Sequence, residues 1–223
     1  DRFGAPVALT EQADGTYTFT MPNGQVTVSA TFVEAEEPAA EPFTDVDESD
    51  WFYEDVAYVY ENGLMNGVGE GLFGPEATTT RAMVVTILYR LEGEPTVTGD
   101  TPFTDLVAGQ YYLDAVAWAS TNDIVNGVTS TTFAPNDPIT REQMITILYR
   151  YAVSQGYDVS QAADLSGYAD ASELSDYAQD AMKWAVGSGI FFSESGELDA
   201  RDNATRAQVA QMLMNFGIRY WAG

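Results

Sequence analysis

Apolar residues alternate with polar ones in the first forty positions and follow helical spacing from residue 43 onward. Residues 15–21 (GTYTFTM) put Tyr17, Phe19 and Met21 on one face, and residues 25–32 (QVTVSATF) align Val26, Val28, Ala30 and Phe32. Pro22-Asn23-Gly24 between them is turn chemistry, so two period-2 runs around an Asn-Gly predict a β-hairpin. Residues 6–10 are a candidate third strand. So short a β segment makes a marginal core. Residues 1–34 therefore read as the closing hairpin of a β-rich module that starts upstream. Residues 35–42, acidic and carrying Pro38 and Pro42, read as a stiff linker.

The remainder repeats. Phe43-Thr-Asp-Val recurs as Phe103-Thr-Asp-Leu and as Tyr168-Ala-Asp-Ala. The first two copies align without a gap at an offset of 60 (105 − 45). Asn66-Gly67 falls on Asn126-Gly127, Thr80-Arg81 on Thr140-Arg141, and Ile87-Leu-Tyr-Arg90 on Ile147-Leu-Tyr-Arg150. The third copy follows at 65 (205 − 140), with Thr205-Arg206 on Thr140-Arg141. The boundaries read from this are 43–95, 100–155 and 165–223.

Within each copy a first helix follows the Phe-Thr-Asp turn, as over residues 112–121, where Val116, Trp118 and Ala119 form an apolar stripe. A turn, a short extended piece and prolines come next. A second helix then opens at Thr-Arg, with Met144, Ile147, Leu148 and Tyr151 at i, i+3, i+4 and i+7. Thr80, Thr140 and Thr205 are N-caps, and Gln143 and Gln208 complete capping boxes that Met83 leaves open. Two helices and a turn cannot bury their own apolar face, whereas three such units around an axis can. The fold expected is mainly α, three helix–loop–helix repeats in a pseudo-threefold bundle with a small N-terminal β-hairpin segment.

Charge narrows the chemistry. The 223 residues hold 34 Asp+Glu against 9 Lys+Arg, a formal net charge of −25, and no Cys or His. Lys183 is the one lysine; the other eight cations are arginines. Zinc fingers, thiol nucleophiles and imidazole bases are excluded. Nucleic acid is a poor partner for so acidic a chain, as is an anionic membrane surface, and no apolar run reaches the ~20 residues of a membrane span. The residues from Asp45 to Val56 lack the sixth-position Gly and twelfth-position Glu of a calcium loop. No metal or cofactor is expected. Asp1 in place of an initiator Met reads as a piece of a longer, processed protein.

Phe43-Thr-Asp-Val eight residues before Trp51, Gly63-Leu-Met-Asn-Gly67, Gly71-Leu-Phe-Gly-Pro75 and Thr80-Arg81-Ala82 resemble an S-layer homology repeat. So do Phe103-Thr-Asp-Leu, Thr132-Phe-Ala-Pro135 and Ile139-Thr-Arg-Glu-Gln143, and, in degraded form, residues 168–208. The preceding hairpin looks like the end of repeat modules in large bacterial surface proteins. The resemblance implies a secreted, non-catalytic module at the bacterial cell wall or S-layer. Its partner would be secondary cell-wall polysaccharide, often bearing pyruvate ketals, held in grooves between repeats. Departures are Met83, Gln143 and Gln208 where the family carries an acidic residue, Phe191-Phe192-Ser193 for Asn-Gly, and Ala200 for proline.

The candidate ligand-binding residues are Arg81, Arg141, Arg206, Trp51, Tyr111, Gly67 and Gly127. A helix start offers unpaired N–H groups and positive potential to a carboxylate, and an arginine there adds a planar fork of donors. Trp51 or Tyr111 can pack on a sugar ring, and Gly67 or Gly127 permits close backbone approach. Against this, the arginines can simply pair with neighbouring carboxylates. Arg90 and Arg150, late in their helices, suit the C-terminal end of the dipole, and Asp45, Asp105 and Asp170 suit turn roles. Two other readings stay open: a self-association or protein-interaction module with decayed glycan sites, and a carboxylate glycosidase needing two acids roughly 5–10 Å apart.

Overall fold

The computed structural model describes residues 10–11, 17–18, 43–193 and 195–221, and the chain divides into two units, Asp1–Ala39 and Ala40–Gly223. In the first, strand β1 (Thr10–Glu11) pairs antiparallel with β2 (Tyr17–Thr18), Thr10 opposite Thr18 and Glu11 opposite Tyr17. The predicted Asn23-Gly24 turn, the second arm over 25–32 and the linker over 35–42 lie outside the described residues.

The second unit is helical, with α1 (Tyr53–Glu61), α2 (Arg81–Leu91), α3 (Leu113–Thr121), α4 (Arg141–Ser154), α5 (Gln179–Gly187) and α6 (Arg206–Tyr220). Turns of 3-10 helix at Ala171–Glu173 and Asp176–Ala178 lead into α5. Each repeat gives a short first helix and a longer second one. The short helices end where the backbone turns left-handed, at Gly63, Asp123 and Gly189. The long ones begin at the predicted caps. The side chains of Thr80, Thr140 and Thr205 accept from Met83, Gln143 and Gln208 N–H, and both glutamines return the bond to complete their boxes.

The main helix contacts run between repeats and not within them. The second helix of each repeat packs on the first helix of the next, α2 on α3 and α4 on α5, and α6 closes the circle on α1. One apolar core runs through all three repeats and includes Val56, Val59, Leu88, Val116, Ala119, Met144, Leu148, Met182, Trp184, Leu213 and Phe216. The segments ahead of the long helices meet at the axis. There Ile139 N–H donates to the Thr79 carbonyl (2.9 Å), Ala204 N–H to Ile139 (2.8 Å), and Thr79 N–H to Ala204 (3.2 Å). Three backbone hydrogen bonds thus form a closed triangle, one edge per repeat pair.

Each repeat is also fastened internally. The carboxylate of Asp45 accepts from the N–H groups of Phe73 (2.7 Å) and Gly74 (2.8 Å). Asp105 accepts likewise from Phe133 and Ala134, and Asp170 from Leu198 and Asp199. The recurring aspartate is a clasp between the opening turn and the loop 28 or 29 residues later. Burial pushes the Asp105 carboxyl up, but the two donated N–H groups and nearby Arg81 outweigh it and hold it below the usual carboxylate range.

Candidate functional site

The three Thr-Arg sequences put an arginine at the first position of each long helix, and all three reach into the following repeat. Arg81 Nε donates to the Phe133 carbonyl (2.9 Å) and its Nη2 to that of Asn126 (3.1 Å), with the guanidinium 4.8 Å above the Phe133 ring. Arg206 repeats this on Phe73 and Asn66, 4.5 Å over the Phe73 ring. Arg141 donates to the Asp199 carbonyl (2.9 Å) and pairs with the Asp199 and Asp202 carboxylates at 3.5 and 4.0 Å. Burial lowers the proton affinity of Arg81 and Arg206, though a guanidinium keeps its charge under such pressure.

The helix starts themselves are not open to a ligand, which corrects the expectation of free N–H groups there. Arg81 N–H donates to the Asp137 carbonyl and Ala82 N–H to that of Pro135; Arg141 and Glu142 donate to Asp202 and Ala200, and Arg206 and Ala207 to Ala77 and Pro75. With the threonine cap serving the third position, these N–H groups are already satisfied. The partners come from the next repeat, out of reach of any local sequence pattern.

What remains accessible is the groove between repeats. One such groove, about 390 Å3, is walled by Arg81, the Asn126-Gly127-Val128 turn, one face of α4 (Gln143, Thr146, Ile147 and Arg150) and Tyr177 from the turn before α5. That volume falls within the range of small-ligand clefts. All three repeats contribute to it. Asn126 faces both arginines: its carbonyl accepts from Arg81, and its side-chain amide, with the oxygen assigned to the side of Arg150, accepts from both terminal nitrogens of that residue at 3.3 Å. Among the described residues neither Arg81 nor Arg150 has a carboxylate within ion-pair distance. Burial lowers the proton affinity of Arg150, and Tyr177 and Asp123 oppose it.

Tyr177 is 51% exposed and forms the rim. Its hydroxyl donates to Glu142 Oε1 (2.8 Å), and the Glu142 carboxylate also accepts from the Ser175 hydroxyl (2.8 Å) and N–H (3.1 Å). Burial and this carboxylate push the Tyr177 phenol well above its ordinary range. Both Arg150 and Tyr177 belong to the groove although sequence reasoning left them out of the site. Arg150 shares a helix face with Gln143 and Ile147, at i+7 and i+3, and that spacing was the available signal.

The second groove brings together Trp51, Arg141, Phe191, Phe192, Ser193, Gln208 and Gln211 in about 120 Å3. Arg206 and Gly67 belong to the third repeat junction, where Met83 is exposed and Arg90 pairs with Glu94 at 3.8 Å. Tyr111, 56% exposed, rests edge-on against Tyr112.

Gly67 and Gly127 are required for an internal reason. A Cβ on Gly127 would strike the carbonyls of Thr129 and Thr132 and the Phe103 ring; one on Gly67 would lie 2.7 Å from both the Leu72 carbonyl and Phe43. The missing side chain admits the Phe of the opening turn. Gly127 lines the groove, but the direction of its absent Cβ is inward.

The sequence family described as the S-layer homology domain matches residues 42–82, 102–145 and 167–210. Over 173 residues the chain is 31% identical to an endoglucanase of Bacillus sp. (strain KSM-635), covering 77% of this chain and 18% of that protein. It is 38% identical to the surface-layer 125 kDa protein of Lysinibacillus sphaericus over 98 residues, 43% of this chain and 8% of that one. With the S-layer protein sap of Bacillus anthracis it shares 24% identity over 177 residues, 78% of this chain and 21% of that protein. The chain thus spans less than a quarter of the length of these relatives. An S-layer homology domain is a non-catalytic anchoring module of S-layer proteins and surface enzymes. No described helix is long and apolar enough to cross a membrane. Three tandem repeats, joined in a ring, make this chain a member of the S-layer homology domain family, on a secreted protein of the bacterial cell surface.

Proposed function

We propose that the chain attaches its parent protein to the cell wall by binding an anionic secondary cell-wall polysaccharide, one whose sugars carry carboxylates such as pyruvate ketals. The Arg81–Arg150–Tyr177 groove is the principal site. The observation that carries this reading is the convergence in one cleft of two guanidiniums that have no carboxylate partner among the described residues, on a chain of net charge −25. Buried arginines offer planar, bidentate donors to a carboxylate, and Tyr177 offers a face for the sugar ring. Arg81 spends two of its five N–H donors on backbone carbonyls, which fixes its plane and leaves the rest for a ligand. The surrounding acidic surface repels polyanions that come within a Debye length of ~8–10 Å, so an anion is retained only where the arginines of the cleft locally outweigh that repulsion. Trp51, Tyr111, Arg141 and Arg206 mark the two equivalent grooves as further contact points for the same polymer.

The test is co-sedimentation with purified wall polymer, native and stripped of pyruvate. The Arg150→Ala, Tyr177→Ala double variant, folded by circular dichroism, should bind native polymer at least tenfold more weakly, as loss of a charge-assisted contact and a stacking face implies. Undiminished binding by that variant would overturn the assignment of the site. Concentration-dependent oligomers with no polymer binding would favour a self-association module instead.

A further inference from the structure

The three grooves are built on one plan but differ in chemistry. Where the first has Asn126 and Arg150, the second has Phe192 and Asn215, at offsets of 66 (192 − 126) and 65 (215 − 150). Both substitutions remove what an anion would use. Asn126 is the residue that gathers the two arginines, and Arg150 is one of them. The second groove keeps a single arginine, Arg141, and that one is paired with the carboxylates of Asp199 and Asp202. Asn215 turns its amide to the Ile190 carbonyl (3.3 Å) instead. The groove therefore presents no uncompensated positive charge, and its rim carboxylate, Asp199, repels an anion.

The substitutions add aromatic surface. Trp51 (58% exposed) and Phe192 (51% exposed) line the same groove, one from the first repeat and one from the third. Trp51 rests edge-on against Phe52, ring centroids 5.2 Å apart, which fixes the indole without covering it. The same groove is lined by polar groups suited to hydroxyls: the Asp199 carboxylate accepts, and the Gln211 amide both donates and accepts. Aromatic faces with neutral and acidic hydrogen-bonding groups suit an uncharged sugar, whose C–H face packs on a ring while its hydroxyls bond at the edge.

We infer that the groove bounded by Trp51, Phe192 and Asp199 is an uncharged-saccharide subsite, chemically distinct from the two-arginine groove. This rests on the reading of a wall polysaccharide as ligand and assigns different sugars of that polymer to different grooves. A polymer alternating charged and neutral residues would then be held at two places by two kinds of contact.

The experiment titrates the whole chain with purified wall polymer, native and pyruvate-stripped, following tryptophan emission and heat at two salt concentrations. Stripped polymer should still bind, with little dependence on salt, and should shift the emission of the protein. Trp51→Phe should abolish that shift, and Phe192→Ala should weaken binding of stripped polymer by about tenfold, the scale of one aromatic contact. Both side chains are exposed, so neither substitution opens the core. Arg150→Ala should leave binding of stripped polymer unchanged while weakening the native one. Stripped polymer bound equally well by Phe192→Ala would overturn this inference alone, provided native polymer is still bound through Arg150. No binding of either polymer by the unsubstituted chain would overturn the anchoring reading and this one with it.

Discussion

Glu142 accepts the hydroxyl proton of Tyr177 in a 2.8 Å hydrogen bond that joins the second repeat to the third. The equivalent positions in the other repeats are Ala82 and Ala207, so neither of them places a carboxylate at this point of its junction. Glu142 is buried and fully engaged by Ser175 and Tyr177. Removing the phenol oxygen leaves the Ser175 bonds in place. Tyr177→Phe should therefore cost about 1 kcal/mol, or roughly 2–4 °C in Tm for a domain of this size. Thermal unfolding measures it.

Arg81 should matter for stability more than Arg150 does. Arg81→Ala strands the carbonyls of Phe133 and Asn126 and removes the guanidinium packed on the Phe133 ring, a loss of about 2–4 kcal/mol. Arg81→Lys should recover little of it, since an ammonium cannot span both carbonyls in one plane. Arg150→Ala should leave urea unfolding nearly unchanged. Parallel denaturation curves separate the two roles.

Asp55 is buried on α1 where the other repeats have Ala115 and Ala181. Burial, aided by Glu54, raises its pKa from 3.8 to about 6. A raised carboxylate pKa means that the folded state binds the proton more tightly than the unfolded chain does. The ionised form is therefore a cost that is fully present above pH 6 and disappears as pH falls toward 4. Asp55→Ala should raise stability at pH 7.5 by about 1–2 kcal/mol once solvent screening is allowed for, seen as a higher Tm, and should make almost no difference at pH 4. Calorimetric melts across that range would expose a mistaken sign at once.

Asp105 predicts the opposite slope. Its pKa is depressed by the two N–H groups it accepts, so its contribution is present above the unfolded value of 3.8 and is lost as pH falls below it. Asp105→Asn, which keeps one acceptor and must displace the other, should cost about 1–2 kcal/mol at pH 7 and narrow its gap from the parent in acid.

Local order in this molecule is legible where its partners are local. The threonine caps and the Gln143 and Gln208 boxes lie within four residues and read directly from the sequence. So did the spacing of Met144, Ile147, Leu148 and Tyr151 that buries α4. The threefold recurrence also showed which residues are equivalent. It could not show that Ala82 N–H ends at Pro135, or that Arg206 ends at Asn66, because those partners stand in the next repeat around a ring. Gly127 was legible as a glycine requirement but not as one imposed by Phe103. Tyr177 stands 66 residues after Tyr111 (177 − 111), in the matching place of the third repeat, yet only Trp51 and Tyr111 were read as sugar-packing candidates.

The hydrogen-bonded triangle of Thr79, Ile139 and Ala204, together with the contact of α6 on α1, leaves no terminal repeat. An open stack of repeats can fray from its ends, one unit at a time. A circle of three has no end to begin from, so loosening any member breaks two junctions at once and spoils more than one groove. Partial unfolding and continued grip on the wall are thereby made incompatible, and release becomes a single event.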